Sequence, residues 1–374
     1  MHLYLHIPFC KQACHYCDFH FSTSLAQKPA LVEALRREIE QQQDYLGTRQ
    51  LETIYFGGGT PSLLTEAELA SLFETIHRHF TVAPEAEITL EANPDDLTPA
   101  HLRQLRPYVN RLSIGIQSFH EPHLRFMNRA HSALEAQQCV RLAQEAGFHN
   151  LTIDLIYGVP AADHAIWERD LETALLLDVP HISSYSLTIE PDTALGRWQK
   201  KGRFQGTDDE FAAEEFEMLI RTLGANGYEQ YEISNFARPG HEARHNSSYW
   251  KRRPYLGIGP SAHSYNGHSR QYNVANNALY IKAINRGELP CTVEMLTPAD
   301  QVNEYLLTGL RTKWGCQVSE LESLSGGTFV REQQAILAEQ QRRGWLTRTG
   351  DQLLLTPAGK FFADRVAAEL FMES

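Results

Sequence analysis

No apolar run in this chain of 374 residues approaches the ~18–20 consecutive apolar residues that a span of hydrocarbon demands, which excludes a transmembrane helix. The opening MHLYLHIPFCKQAC lacks the basic start, long apolar stretch and small-residue cleavage site of a secretion signal. Basic charge is scarce: 34 Lys and Arg face 46 Asp and Glu, a net charge of −12. So acidic a surface repels phosphate backbones, and no nucleic acid is expected as a partner. The densest basic run, Lys251-Arg252-Arg253, reads as a solvated loop. Cysteine is scarce too, six in all, and three of them crowd between positions 10 and 17. That is no disulfide framework; in a reducing compartment crowded thiols signal metal or redox chemistry. Long-period repeats and low-complexity tracts are also missing. The expectation is a cytoplasmic protein with at most peripheral membrane contact.

What is present is ordinary globular composition, 42% hydrophobic and 21% charged, in a length that suits two or three units. Through residue 235 one rhythm recurs: a short apolar strand, a loop, an amphipathic helix. Strands are predicted at 3–8, 53–58, 86–93, 111–118, 151–158 and 181–190, with helices near 29–46, 65–79, 98–106, 132–146, 163–178 and 207–227. Thr65 with Glu68 and Thr207 with Glu210 have capping-box spacing, and Thr98-Pro99 places proline at a first helical position. Six βα units imply a parallel sheet, and polar residues at the strand ends favour a partial (βα)6 barrel, an α/β fold whose loops converge on one site. Residues 236–295 show little periodicity and read as a connecting segment. Helices and a β-hairpin in 296–374 predict a winged-helix-like C-terminal module.

The densest chemistry is Cys10-Lys-Gln-Ala-Cys14-His-Tyr-Cys17, directly after the first strand. Three thiolates on one loop hold three irons of a [4Fe–4S] cubane and leave the fourth iron open to a small molecule such as S-adenosylmethionine (SAM). The competing reading is a zinc site completed by His6, His15 or His20. Cys139, Cys291 and Cys316 are scattered and carry no predicted role. Glycines at 57–59 let backbone approach a ligand closely, or make a tight turn. Glu91, Gln117 and Asp154 are polar groups inside or ending apolar strands. Such groups need partners, either a ligand or an internal hydrogen-bond network.

These motifs together, C-x3-C-x2-C with Phe19 two residues on, HIPFC, FGGGTPSLL, LEANPDDL, SIGIQSF and DLIYGVP, resemble the radical SAM family, in its branch of proteins like the anaerobic coproporphyrinogen III oxidases. The resemblance spans nearly the whole chain. It implies a radical SAM barrel with a [4Fe–4S] cluster on Cys10, Cys14 and Cys17, and SAM cleaved to a 5′-deoxyadenosyl radical. By resemblance Tyr4, Gly58, Gly59, Thr60, Glu91, Gln117, Arg129 and Asp154 occupy SAM-contacting positions, with Tyr16 a further cofactor-binding candidate and Ser186 and His263 weaker ones. Arg129 would pair with a carboxylate. A flavodoxin or ferredoxin would be the reductant.

Two departures separate the chain from the oxidases of that branch. Phe19 stands where they carry a further cysteine, and only nine residues precede Cys10, too few for their N-terminal extension. The segment His245-Asn246-Ser247-Ser248-Tyr249-Trp250 instead matches an HNxxYW motif of heme chaperones in the same branch. An imidazole can ligate heme iron, and Tyr249 and Trp250 offer faces to a porphyrin. Equally, His245 can cap a loop while Trp250 plugs the barrel against the C-terminal module. The resemblance implies heme binding, with His245 as a candidate site residue, and transfer of heme to acceptor proteins. The alternative is coproporphyrinogen oxidation, or another radical reaction on a tetrapyrrole.

Overall fold

The computed structural model describes residues 1–373. Six strands, β1 (His2–Ile7), β2 (Gln50–Gly58), β3 (Thr81–Ala92), β4 (Arg111–Gln117), β5 (Asn150–Tyr157) and β6 (His181–Ser186), lie side by side in chain order. Every neighbouring pair among them is parallel. Each is followed by a helix, the longest being Lys28–Gln41, Glu66–His79, Ala133–Glu145, Ala165–Leu176 and Asp209–Ala225. Strands such as Arg111–Gln117 are buried on both faces, as parallel strands covered by helices must be. The capping boxes at Thr65 and at Ser132 are formed, and Thr98 caps the helix that Pro99 begins. At Asp209–Ala225 the cap is Asp208, which accepts from the Glu210 N–H, whereas the Thr207 hydroxyl donates to the Gly158 carbonyl. The expected Thr207 box is therefore absent, because that hydroxyl is already used to hold the loop after β5.

The sheet does not end with the sixth strand. β7 (Glu229–Glu232) and β8 (Asn235–Ala237) extend it beyond β6. On the other side β9 (Tyr255–Ile258) pairs parallel with β1 and leads to β10 (His263–Tyr265), β11 (Ser269–Asn273) and β12 (Cys291–Met295). Residues read as irregular thus supply four strands at one edge of a twelve-stranded sheet. Hydropathy misses them because their inward residues are polar: in β11 the buried positions are Ser269, Gln271 and Asn273.

One buried carboxylate accounts for Asn273 in that edge. Glu38, on the first long helix and without solvent contact, accepts from Asn273 Nδ2 at 2.7 Å, the Gly259 N–H at 2.7 Å and the Tyr280 hydroxyl at 2.6 Å. Burial pushes its pKa up to about 7 despite these donors. Gly259 itself sits at φ +111°, and a Cβ there would meet the His6 carbonyl at 2.8 Å.

After residue 296 a second core forms, built on Val302, Leu306, Leu321, Phe329 and Val366. Its helices, Pro298–Gly309, Val318–Leu324, Phe329–Arg342 and Ala363–Glu369, surround a three-stranded antiparallel sheet of β13 (Cys316–Gln317), β14 (Leu346–Thr349) and β15 (Gln352–Leu355). Lys313 ties it to the barrel through Glu229 (3.0 Å) and Glu242 (2.7 Å). Lys251 lies 3.9 Å from the Trp314 ring centroid, Arg252 faces Tyr305, and Arg311 faces Trp250. Two members of the basic run are therefore interdomain cation–π contacts rather than part of a free loop. No helix among the described residues is long and apolar enough to cross a membrane.

Glu38→Ala leaves three buried donors unmatched, and we predict a loss of about 2–4 kcal/mol in denaturant unfolding. An unchanged midpoint would show that Glu38 does not anchor the β9–β11 edge.

Candidate functional site

The loops after β1, β2, β3 and β4 meet at one end of the sheet. The cysteine loop is a closed excursion: Ser22 N–H donates to the Pro8 carbonyl (2.8 Å) and Cys10 N–H to the Ser22 carbonyl (3.0 Å). Side chains pin it elsewhere. Gln12 Nε2 donates to Asn128 Oδ1 at 2.7 Å, Asn128 Nδ2 returns a bond to the Ala13 carbonyl at 2.7 Å, and Lys11 pairs with Asp95 and Asp96. Asn128 adopts φ +57°, a left-handed conformation that Asn tolerates, and this aims its side chain back at the cysteine loop.

Cys10, Cys14 and Cys17 are all half-buried and free of disulfides. Burial pushes the Cys17 thiol up to about 12, so loading a metal there must displace a proton. Of the histidines a zinc site would need, only His6 has both ring nitrogens bonded, while His15 and His20 each use one. His6 accepts from the Tyr4 hydroxyl at Nδ1 (3.0 Å) and bonds the His20 carbonyl through Nε2 (3.0 Å). His15 Nδ1 bonds the Phe126 carbonyl at 2.7 Å, and His20 Nε2 bonds Asn277 Oδ1 at 2.8 Å. Three thiolates on one loop are the donor set that a cubane takes, each thiolate on its own iron.

Arg129 connects the loops. Its Nη1 reaches Cys14 Sγ at 3.2 Å, and Nη2 donates to Asn93 Oδ1 (2.6 Å) and to the Gly115 carbonyl (2.8 Å), while Nε is buried with no partner. Asn93 Nδ2 in turn donates to Thr60 Oγ1 at 3.2 Å. Tyr16 packs nearby against Leu124, Met127, Ile156 and Val159. The glycines are tightly enclosed: a Cβ at Gly59 would meet the Phe9 backbone at 2.8 Å, and one at Gly58 would meet the His6 ring at 2.6 Å. Asn93 and Tyr55 were not singled out in the sequence. The available signal was the place of Asn93 at the end of β3, two residues after Glu91, and of Tyr55 within β2, ahead of the glycines.

Inside the sheet lies a cavity of about 250 Å³, lined among others by Tyr4, Tyr55, Gly58, Glu91, Asp154 and Tyr249. Glu91 accepts from the Tyr55 hydroxyl (2.7 Å) and the Gly58 N–H (3.1 Å), and burial raises its pKa to about 7. Burial likewise raises Asp154 to about 6, with Ser113 Oγ at 3.5 Å. Gln117 ends β4 at φ +69°, a strained conformation for a side-chain-bearing residue, and its amide closes over Gly115. Tyr4, Gly58, Glu91 and Asp154 therefore share one cavity wall, while Thr60, Arg129 and Gln117 stand among the loops above. Ser186 is not with them; it faces a separate surface cleft with Tyr157 and Phe361.

A second cavity of about 540 Å³ opens beside the first and shares Tyr4, Phe19 and Tyr249 with it. The cysteine loop (Asp18, Phe19, His20), the β9–β11 edge (Tyr255, His263, Arg270) and the C-terminal module (Glu304, Thr308) all reach it. Phe19, 67% exposed, projects between the two cavities.

The HNxxYW residues form a short helix, Arg244–Trp250. Its first N–H groups, those of Arg244 and His245, donate to Glu87 at 3.0 and 2.8 Å. The His245 ring is buried, with Nδ1 on Thr53 Oγ1 at 2.6 Å and Nε2 on the Tyr249 hydroxyl at 2.8 Å. The ring lines the smaller cavity with both nitrogens hydrogen-bonded, so ligation of iron by His245 would require one of these partners to be given up. Sequence could not show this, since Thr53 and Glu87 lie more than 150 residues away. Trp250 packs against Arg311 of the C-terminal module, the plugging role that was the other reading of the motif.

We predict that His245→Ala lowers stability by about 2 kcal/mol, because the Tyr249 hydroxyl loses its partner while Thr53 keeps only His2 Nδ1 at 2.9 Å. Unfolding unaffected by the change would contradict this structural role.

The Radical SAM superfamily profile matches residues 4–173, and that of the HemN C-terminal domain matches 296–362. The heme chaperone HemW of Bacillus subtilis is 34% identical over 97% of each chain. HemW of Mycobacterium tuberculosis strain CDC 1551 is 36% identical over 98% of this chain and 94% of its own. The structure of Escherichia coli coproporphyrinogen III oxidase (HemN), described as a radical SAM enzyme, superposes with TM-score 0.86 over 99% of this chain and 89% of its own. At 23% identity that likeness speaks for the fold alone. With whole-length identity to relatives of one kind above 30%, the chain belongs to the HemW family of radical SAM proteins.

Proposed function

We propose that this protein is a heme chaperone: it holds a [4Fe–4S] cluster and SAM at the loop end of the barrel, binds heme, and passes it to acceptor proteins. The observation that carries this reading is the identity with curated HemW chains along 97% of their length and of this one. The cytoplasm suits a cluster that oxygen destroys, and a flavodoxin or ferredoxin would supply electrons.

In this reading Cys10, Cys14 and Cys17 hold the cluster, which when bound with SAM supplies one-electron chemistry. The chain's own groups do the rest. Gly58, Gly59 and Thr60 allow close backbone approach, and Tyr16 and Gln117 flank the loops. Arg129, with its unpartnered buried Nε, offers a donor to a carboxylate. Glu91 and Asp154 offer negative charge to a cationic ligand. Phe19, at the position of a further cysteine in the oxidases, removes a polar group from the space between the cavities. We therefore read coproporphyrinogen oxidation as the lesser alternative.

The sign of the pH dependence of SAM binding follows from Glu91 and Asp154. Without ligand, burial favours their protonated forms up to about 7 and about 6. A sulfonium and ammonium ligand favours the ionised forms, so binding releases protons and affinity rises with pH through that window. Anaerobic calorimetry in buffers of different ionisation enthalpy checks this; proton uptake, or affinity falling from pH 6 to 7, contradicts it. For the function itself, the reconstituted protein should bind hemin, transfer it to an apo-heme protein, and give no SAM-dependent protoporphyrinogen from coproporphyrinogen III. Cys→Ala at position 10, 14 or 17 should abolish the cluster's visible absorption. Multiple turnovers of coproporphyrinogen without heme transfer would install the oxidase reading instead.

A further inference from the structure

If the chain carries heme, the heme needs a place, and both ring nitrogens of the HNxxYW histidine already have hydrogen-bond partners. The larger cavity has the chemistry that a propionate-bearing tetrapyrrole requires. At about 540 Å³ it falls within the roughly 300–1,000 Å³ of sites for organic cofactors. Its apolar faces are aromatic: Tyr4, Phe19, Tyr249, Tyr255 and Tyr265 line it. Flat rings of this kind match a porphyrin plane at little entropic cost.

Two guanidinium groups stand at its wall. Arg252 reaches the Tyr265 hydroxyl at 3.3 Å, and Arg270 pairs with Glu304 at 3.0 Å; in both, Nε is buried without a partner. Buried, unmatched guanidinium donors beside an aromatic cavity are the arrangement that a carboxylate completes. Of the three lining histidines, His6 has both ring nitrogens bonded and His20 has one. His263 alone is uncommitted: its ring stacks on Tyr272 at 5.4 Å, it is solvent-exposed, and it makes no hydrogen bond among the described residues. Partial covering of the ring first, and then Arg270, lower its pKa from the usual value, and a neutral imidazole with a free ring nitrogen can bind iron. The strand that carries it is pressed onto β9 at Gly257, where a Cβ would fall 2.0 Å from the His263 carbonyl.

We infer that heme binds in the cavity between the cysteine loop, the β9–β11 edge and the C-terminal module, with His263 as axial ligand to iron and Arg252 and Arg270 receiving the propionates. This placement rests on the chaperone reading. It sets the heme against Asp18, Phe19 and His20, the residues that follow Cys17 directly, so the state of the cysteine loop bears on heme retention.

The test is anaerobic hemin titration of the full chain, wild type against His263→Ala and Arg252→Gln, followed by Soret position and affinity. Circular dichroism and cluster absorbance verify that each variant is folded. His263→Ala should shift the Soret band and weaken binding about tenfold or more, and added imidazole should restore the wild-type spectrum. Arg252→Gln should weaken hemin about tenfold yet leave hemin dimethyl ester, whose propionates are blocked, unaffected. Hemin bound by wild type with spectrum and affinity indifferent to both changes overturns the placement and leaves the chaperone reading standing. A wild-type chain that takes up no hemin overturns the chaperone reading itself. Should His263→Ala fail to fold, Arg252→Gln with the two porphyrins decides independently.

Discussion

The Arg129 guanidinium is the point at which the site is held together. It reaches the thiol of Cys14 on the loop after β1, the Asn93 side chain after β3 and the Gly115 carbonyl within β4, and Asn93 passes the connection to Thr60 after β2. None of those loops has regular structure over the contact, so the position of each rests on a side chain from another. Parallel βα units bring the loops to one end. Hydrogen bonds to a buried, always-charged group give them one arrangement. The fork also leaves one buried donor unmatched, so the site is incomplete in a way that an anionic ligand group would satisfy.

The same principle shapes both cavities. Glu91 and Asp154 are carboxyls in a sheet buried on both faces, with too few donors to lower their pKa values to the ordinary range. Arg252 and Arg270 are the opposite case, cations with unfilled donors against aromatic rings. One cavity therefore favours a cationic guest and the other an anionic, flat one. They share Tyr4, Phe19 and Tyr249, so a change in one is felt by residues of the other.

The barrel was legible because apolar strands alternating with amphipathic helices leave a strong periodic signal, and the cysteine loop because three thiols at that spacing are rare. The sheet edge at β9–β12 was not, since the inward side chains of β11 are Ser269, Gln271 and Asn273, polar groups of which Asn273 bonds the buried Glu38. Nor was the role of His245. Its motif was visible, but its ring answers to Thr53 and its backbone to Glu87, contacts made across the fold. His263 and Arg252 carried even less signal, one a weak candidate and the other part of a basic run that looked solvated. Their meaning depends on which aromatic rings the folded chain places around them.

Iron anomalous scattering from crystals of the anaerobically reconstituted, hemin-loaded protein tests the account most directly. The account predicts an iron cluster bounded by Cys10, Cys14 and Cys17, with a separate single iron beside His263 in the larger cavity. Iron at His245, or heme iron stacked on the cysteine loop in place of the cluster, would contradict it.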